Sequence, residues 1–106
     1  MNAQRLWQIQ EMLKSEPDDL FLNYALALEY ANANDVKKAI ELLEVLLKNN
    51  PHYLAAYYQL GKYYAQTAQN EFAIATYNKG ITIAQQQHNF KTAQELKQAL
   101  LMLEEE

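Results

Sequence analysis

His52 and His88 are the two side chains whose ordinary titration would suit proton transfer near neutral pH. Each stands at an expected helix boundary, with neither a carboxylate nor a second histidine at relay or ligand spacing. The bland reading, a solvated turn residue, fits both. The acidic pair Asp18-Asp19 and the run Glu104-Glu105-Glu106 sit where a helix cap and a solvated tail are expected. The chain has no cysteine, so thiolate nucleophiles, thiolate metal sites and disulfides are excluded. An HExxH helix, a glycine-rich phosphate loop and a serine elbow are also missing. These residues point away from catalysis, and no catalytic, metal or cofactor site is expected. What remains is recognition by tyrosine, phenylalanine and lysine side chains, and that depends on the elements that present them.

Composition bounds those elements. The 106 residues suffice for one domain, and 50% apolar with 21% charged residues is a globular balance. Only two glycines and two prolines occur, so few turns need special backbone geometry and an all-α chain is favoured. Nine Lys and Arg against 13 Asp and Glu give a net charge of −4. The basic residues are scattered, so no nucleic-acid face is expected. No apolar run approaches a membrane span, and the opening MNAQRLWQIQ is too polar for a signal-peptide core. No membrane insertion is expected, and the expected location is the cytoplasm.

Periodicity then places six helices. Residues 3–15 carry Leu6, Ile9, Met12 and Leu13 in one stripe, with Trp7 beside it, and Pro17 ends the run. Asp18 and Asp19 can cap the second helix, over 19–33. Residues 32–35 form a turn in which Asn tolerates a left-handed backbone and Asp35 caps the third helix, over 36–48. Asn49-Asn50-Pro51 stops it. The fourth and fifth helices divide residues 54–87 near positions 67–70. A sixth, entered through Asn89, spans 90–104 on the stripe Ala93, Leu96, Leu100 and Leu103. Its last three glutamates lie at the negative end of the helix dipole, so that end should fray.

The fourth and fifth helices repeat what precedes them. A shift of 34 residues pairs Leu54 with Leu20, Tyr58 with Tyr24, Leu60 with Leu26, Tyr64 with Tyr30, Ala73 with Ala39 and Ile74 with Ile40. A fixed period of this length marks a stacked helical-repeat architecture. Tyr57, Leu60, Gly61, Tyr64, Ala73, Tyr77 and Gly80 in the second copy, and Leu26, Ala27, Tyr30, Ala39, Leu43, Leu46 and Pro51 in the first, resemble the tetratricopeptide repeat (TPR) signature. Small Gly61 and Ala27 would let one helix approach the small Ala73 and Ala39 of the next, and Tyr64 and Tyr30 would fill the space between repeats.

Three departures refine the expectation. Asn23 replaces a large aromatic, so the first repeat should pack less tightly there. Gln85 replaces a closing proline, so the fifth helix should outrun the third. Arg5 takes the place of Ala39 and Ala73, which suits a helix with no first helix packed on it. The expected architecture is a right-handed α-α superhelix in one domain: a half-repeat helix (1–17), repeats at 20–53 and 54–87, and a capping helix (88–106). The flanking helices should supply burial that two repeats alone lack.

The resemblance also implies a concave groove lined by the first helix of each repeat. Its residues here would be Phe21, Tyr24, Leu28 and Asn32, then Ala55, Tyr58, Lys62 and Gln66. Aromatics beside polar groups suit a protein or peptide partner, although Tyr24 and Tyr58 could instead rest on neighbouring helices, and Phe21 and Leu28 could be covered by the N-terminal helix or by a symmetry partner. One subclass of the family grips the free carboxylate of chaperone tails through paired Lys and Asn; with Lys62 as the one cation among these positions, that mode is not expected. The expected function is a non-catalytic protein-interaction module. Its rival is a homo-oligomerising structural subunit, with a homodimer formed through Phe21, Tyr24 and Leu28 or through Leu101 and Met102.

Overall fold

The structure is a computed structural model that describes residues 3–105. It contains six α-helices: α1 (Ala3–Ser15), α2 (Leu20–Asn32), α3 (Val36–Asn49), α4 (Leu54–Gln66), α5 (Asn70–Gln86) and α6 (Phe90–Glu104). Among the described residues there is no strand. The chain divides into two compact units at Asn49/Asn50, with α1, α2 and α3 in the first and α4, α5 and α6 in the second. The expected helix positions hold to within a residue or two. Glu106, where fraying was expected, lies outside the described residues.

Helix starts follow side-chain chemistry. The Leu22 N–H donates to Asp19 Oδ1 at 2.8 Å, Lys38 N–H to Asp35 Oδ1 at 3.1 Å and Thr92 N–H to Asn89 Oδ1 at 3.1 Å. Each bond satisfies an N–H that the first helical turn leaves unpaired. Gln69, which stands where Asp35 stands in the first repeat, makes no such bond to α5.

Three helix ends share one geometry. Asn34, Ala68 and His88 adopt left-handed backbones, with φ of 66°, 61° and 58°. At each, the N–H of the following residue reaches back five positions: Asp35 to Tyr30 O (2.9 Å), Gln69 to Tyr64 O (2.8 Å) and Asn89 to Ala84 O (2.8 Å). This is a Schellman turn, which pairs carbonyls that the ending helix orphans. None of the three positions holds the glycine that such a turn favours.

In the first unit α2 packs between α1 and α3. Its core is Ile9, Leu22, Ala27, Ala39, Ile40, Leu43, Leu46 and Leu47. Arg5 is half-exposed and reaches from α1 to α2, where its Nη1 meets Glu29 Oε1 at 3.2 Å. Glu29 is buried, and the guanidinium compensates a carboxylate that would otherwise be costly to desolvate. Gln10 Nε2 donates to the Tyr30 hydroxyl at 3.3 Å.

In the second unit α5 packs on α4, and α6 packs on α5 and touches α4. Lacking a proline at Gln85, α5 runs 17 residues against 14 for α3. Gly61 lies so close to the Tyr77 ring that a Cβ there would overlap it. A Cβ on Gly80 would stand 2.7 Å from Tyr57 Cβ and 3.0 Å from Leu96 Cδ1. The partner of Gly61 is thus Tyr77, a larger group than the expected Ala73. One period earlier the same two positions are Ala27 and Leu43, both fully buried. By the 34-residue count the small and large residues at these positions are Ala and Leu in the first unit and Gly and Tyr in the second. Likewise Asn23 and Leu46 stand where Tyr57 and Gly80 stand one period later. Tyr64 rests on Phe72 of its own helix pair, with ring centroids 5.5 Å apart.

The expected weakness at Asn23 is offset by hydrogen bonding. Asn23 Nδ2 donates to Pro17 O at 3.0 Å and Asp19 O at 2.8 Å. Tyr57, one period on, donates its hydroxyl to Pro51 O at 2.6 Å. An amide and a phenol thus reach the equivalent proline carbonyl in the two units.

Candidate functional site

α4 presents Tyr58, Lys62 and Gln66 at four-residue steps, so the three share one face of the helix. They line a cleft of about 370 Å³ in the second unit together with Ala65, Tyr77 of α5, and Ala99, Met102 and Leu103 of α6. Tyr58 is 40% exposed, and its ring lies 6.5 Å from that of Tyr77, tilted by 56°. Tyr77 is buried beneath it. Burial pushes the Tyr77 phenol above its ordinary pKa of 10.0, and the neighbouring Tyr58 adds to the shift. The cleft therefore has a polar edge on α4 and an apolar wall on α6, where Met102 is 62% exposed.

The other groove positions fall elsewhere. Ala55 is exposed on α4 but does not line the cleft. Phe21, Tyr24, Leu28 and Asn32 share one face of α2 in the first unit. Phe21 is 65% exposed, so α1 does not cover it, whereas Tyr24 and Leu28 are half-buried and Asn32 is exposed. His52 is exposed, and its carbonyl accepts from Gln87 Nε2 at 3.1 Å. His88 is exposed in its turn, edge-on to Phe90 with centroids 6.0 Å apart.

The α6 wall escaped the sequence reading. Counting by 34 maps Lys62 onto Leu96, a buried core residue. The start of α6 is instead offset from that of α4 by 36 residues, because α5 runs on. At that offset Tyr63 maps onto Ala99 and Gln66 onto Met102, two of the wall residues.

Residues 1–55 match a family model described as tetratricopeptide repeat. The chain belongs to the TPR family. A tetratricopeptide repeat domain protein from Salinibacter ruber, solved by NMR, is 38% identical over 83% of this chain and 89% of its own, with a TM-score of 0.80. A crystal structure of the tetratricopeptide repeat domain protein from the same organism gives 37% identity over 82% and 97%, with a TM-score of 0.77. A Bordetella parapertussis protein solved in solution is 25% identical over 99% of this chain and 90% of its own, at a TM-score of 0.85. No curated protein matches the chain. The all-α TPR fold is in general a module for protein–protein interaction. Among the described residues no helix is long and apolar enough to cross a membrane.

Proposed function

We propose that this TPR chain is a non-catalytic interaction module that holds a peptide segment of a partner protein in the cleft between α4 and α6. In this reading residues 20–53 and 54–87 are the two complete repeats, residues 1–17 a half-repeat and residues 88–106 a capping helix that also lends the site a wall. One observation carries the reading: Tyr58, Lys62 and Gln66 gather with Met102 and Leu103 around one open cleft. Half-exposed aromatic and thioether groups beside a few polar tips are the chemistry of a protein-binding patch. Phe21, Tyr24, Leu28 and Asn32 form a second patch, on the first unit. The cysteine-free sequence suits a cytoplasmic setting.

The double variant Tyr58→Ala, Lys62→Glu should abolish partner capture while its helical circular dichroism stays at the wild-type level. Capture at wild-type affinity by that variant would refute the assignment. A second reading, self-association, draws on Leu101 and Met102, which are 51% and 62% exposed side by side on α6. Light scattering across a concentration range separates the two, since a chain that stays monomeric at high concentration excludes it.

A further inference from the structure

Among the described residues Glu29 is the one buried charged side chain, and the cleft makes no use of it. It is also the one charged residue of α2. The cation that compensates it comes from α1, where Arg5 Nη1 stands 3.2 Å from Glu29 Oε1. With Arg5 and Lys14 against Glu11, α1 is a net positive helix resting on a net negative one. Its second polar contact, Gln10 Nε2 to the Tyr30 hydroxyl, also ends on α2.

The apolar hold is narrow. Ile9 is the one buried side chain described on α1, whereas α3 buries five. Trp7 and Met12 stay exposed. Only residues 16–19 join α1 to α2, and a short hinge of this kind favours helix exchange between chains. Lifting α1 away would leave Glu29 without its cation, which a buried carboxylate tolerates poorly. The vacated seat therefore selects a helix with arginine four residues before an aliphatic side chain. A second copy's α1 meets that requirement in full, and exchange remakes each α1–α2 contact between chains.

We propose that α2 is an exchangeable seat, which α1 of a second copy occupies to form a reciprocal dimer. Arg5 of one protomer then pairs with Glu29 of its partner, and residues 16–19 are the hinge. The dimer uses neither the cleft nor Leu101 and Met102. Tethering favours the chain's own helix in dilute solution, and mass action favours the partner's as concentration rises.

The test uses full chains carrying Arg5→Glu or Glu29→Arg. Each substitution sets like charges together within one chain, and mixing the two chains restores opposite charges only between them. Size-exclusion chromatography with light scattering should show roughly tenfold more dimer, or better, in the mixture than in either variant alone. The chain carrying both substitutions should match the wild type. The wild-type chain should pass from monomer to dimer with concentration and revert slowly on dilution, because α1 must first detach. Deleting residues 16–18 keeps the Asp19 cap but leaves a connection too short to turn α1 back, so that variant should be dimeric where the wild type is monomeric.

A mixture that stays monomeric while both variants keep their helical circular dichroism overturns the proposal. If either variant unfolds, a monomeric short-hinge chain overturns it. A wild-type chain that stays monomeric up to its solubility limit does so whatever the variants show. A dimer formed equally by every variant assigns self-association to another face, against the proposal. All of these outcomes leave the cleft reading untouched.

Discussion

At the scale of single residues, the second unit is governed by two close approaches, Gly61 to Tyr77 and Gly80 to Tyr57. Gly61→Ala should destabilise by about 1–3 kcal/mol, because the rigid helix and the buried ring leave the new methyl no room. Adding Tyr77→Leu recreates the Ala27–Leu43 pair of the first unit. The double variant should be more stable than the sum of the singles predicts, by about 1 kcal/mol or more in urea unfolding. Strict additivity would break the pairing. The buried phenols also set an alkaline limit, since burial raises the pKa of Tyr57 and Tyr77 above 10.0. Below that pH both phenols are protonated in the folded and the unfolded chain, and they contribute no pH dependence. As pH rises past 10.0 the unfolded chain ionises first and binds fewer protons, so stability falls until the folded values are passed. Melting temperature followed from pH 8 upward should show the decline, and Tyr57→Phe with Tyr77→Phe should flatten it. The small residues at these contacts were legible as a pattern, but which atom each faces was not. A stripe gives the side of a helix, whereas the Gly61–Tyr77 contact depends on the ring's reach across to the neighbouring helix.

At the scale of elements, nearly all of the helical framework was readable. Pro17, Asp19, Asp35 and Asn89 act locally, through backbone geometry and first-turn N–H groups, and local signals survive in sequence. The Arg5–Glu29 pair was not readable, because an acid on an otherwise apolar helix declares its burial only when its distant partner is known. The Schellman turn at Ala68 offers a direct check on the framework. An alanine held at φ 61° bears strain that glycine lacks, so Ala68→Gly should stabilise by about 1 kcal/mol. Gln69→Asp should add about 0.5–2 kcal/mol by giving α5 the cap that Asp35 gives α3. Thermal melts of the two single variants would show it. A drop in melting temperature for Ala68→Gly would mean that the turn does not limit stability.

For the molecule as a whole, the sixth helix is the element to question. Its Leu96 is fully buried and meets the Gly80 contact of α5. Burying such a side chain is worth about 1.5–3 kcal/mol, and a change of 1 kcal/mol moves the melting temperature of a chain this size by about 4–8 °C. Removing residues 90–106 should therefore lower the melting temperature by roughly 10 °C or more; unchanged stability would refute the capping role. The candidate site was half legible for the same geometric reason. Tyr58, Lys62 and Gln66 obey the 34-residue count, whereas the opposing wall obeys a count lengthened by the run-on of α5. The exchanged volumes within the repeats have a historical consequence. If the two copies descend from one duplicated unit, then in either direction the path between an Ala–Leu and a Gly–Tyr pair runs through glycine opposite leucine and avoids alanine opposite tyrosine. A tyrosine arriving opposite alanine would meet the overlap at once, while glycine opposite leucine leaves only a small void. The ancestral sequence path between the repeats is thus ordered, and a reconstructed intermediate carrying Ala at 61 with Tyr at 77 should be the less stable of the two.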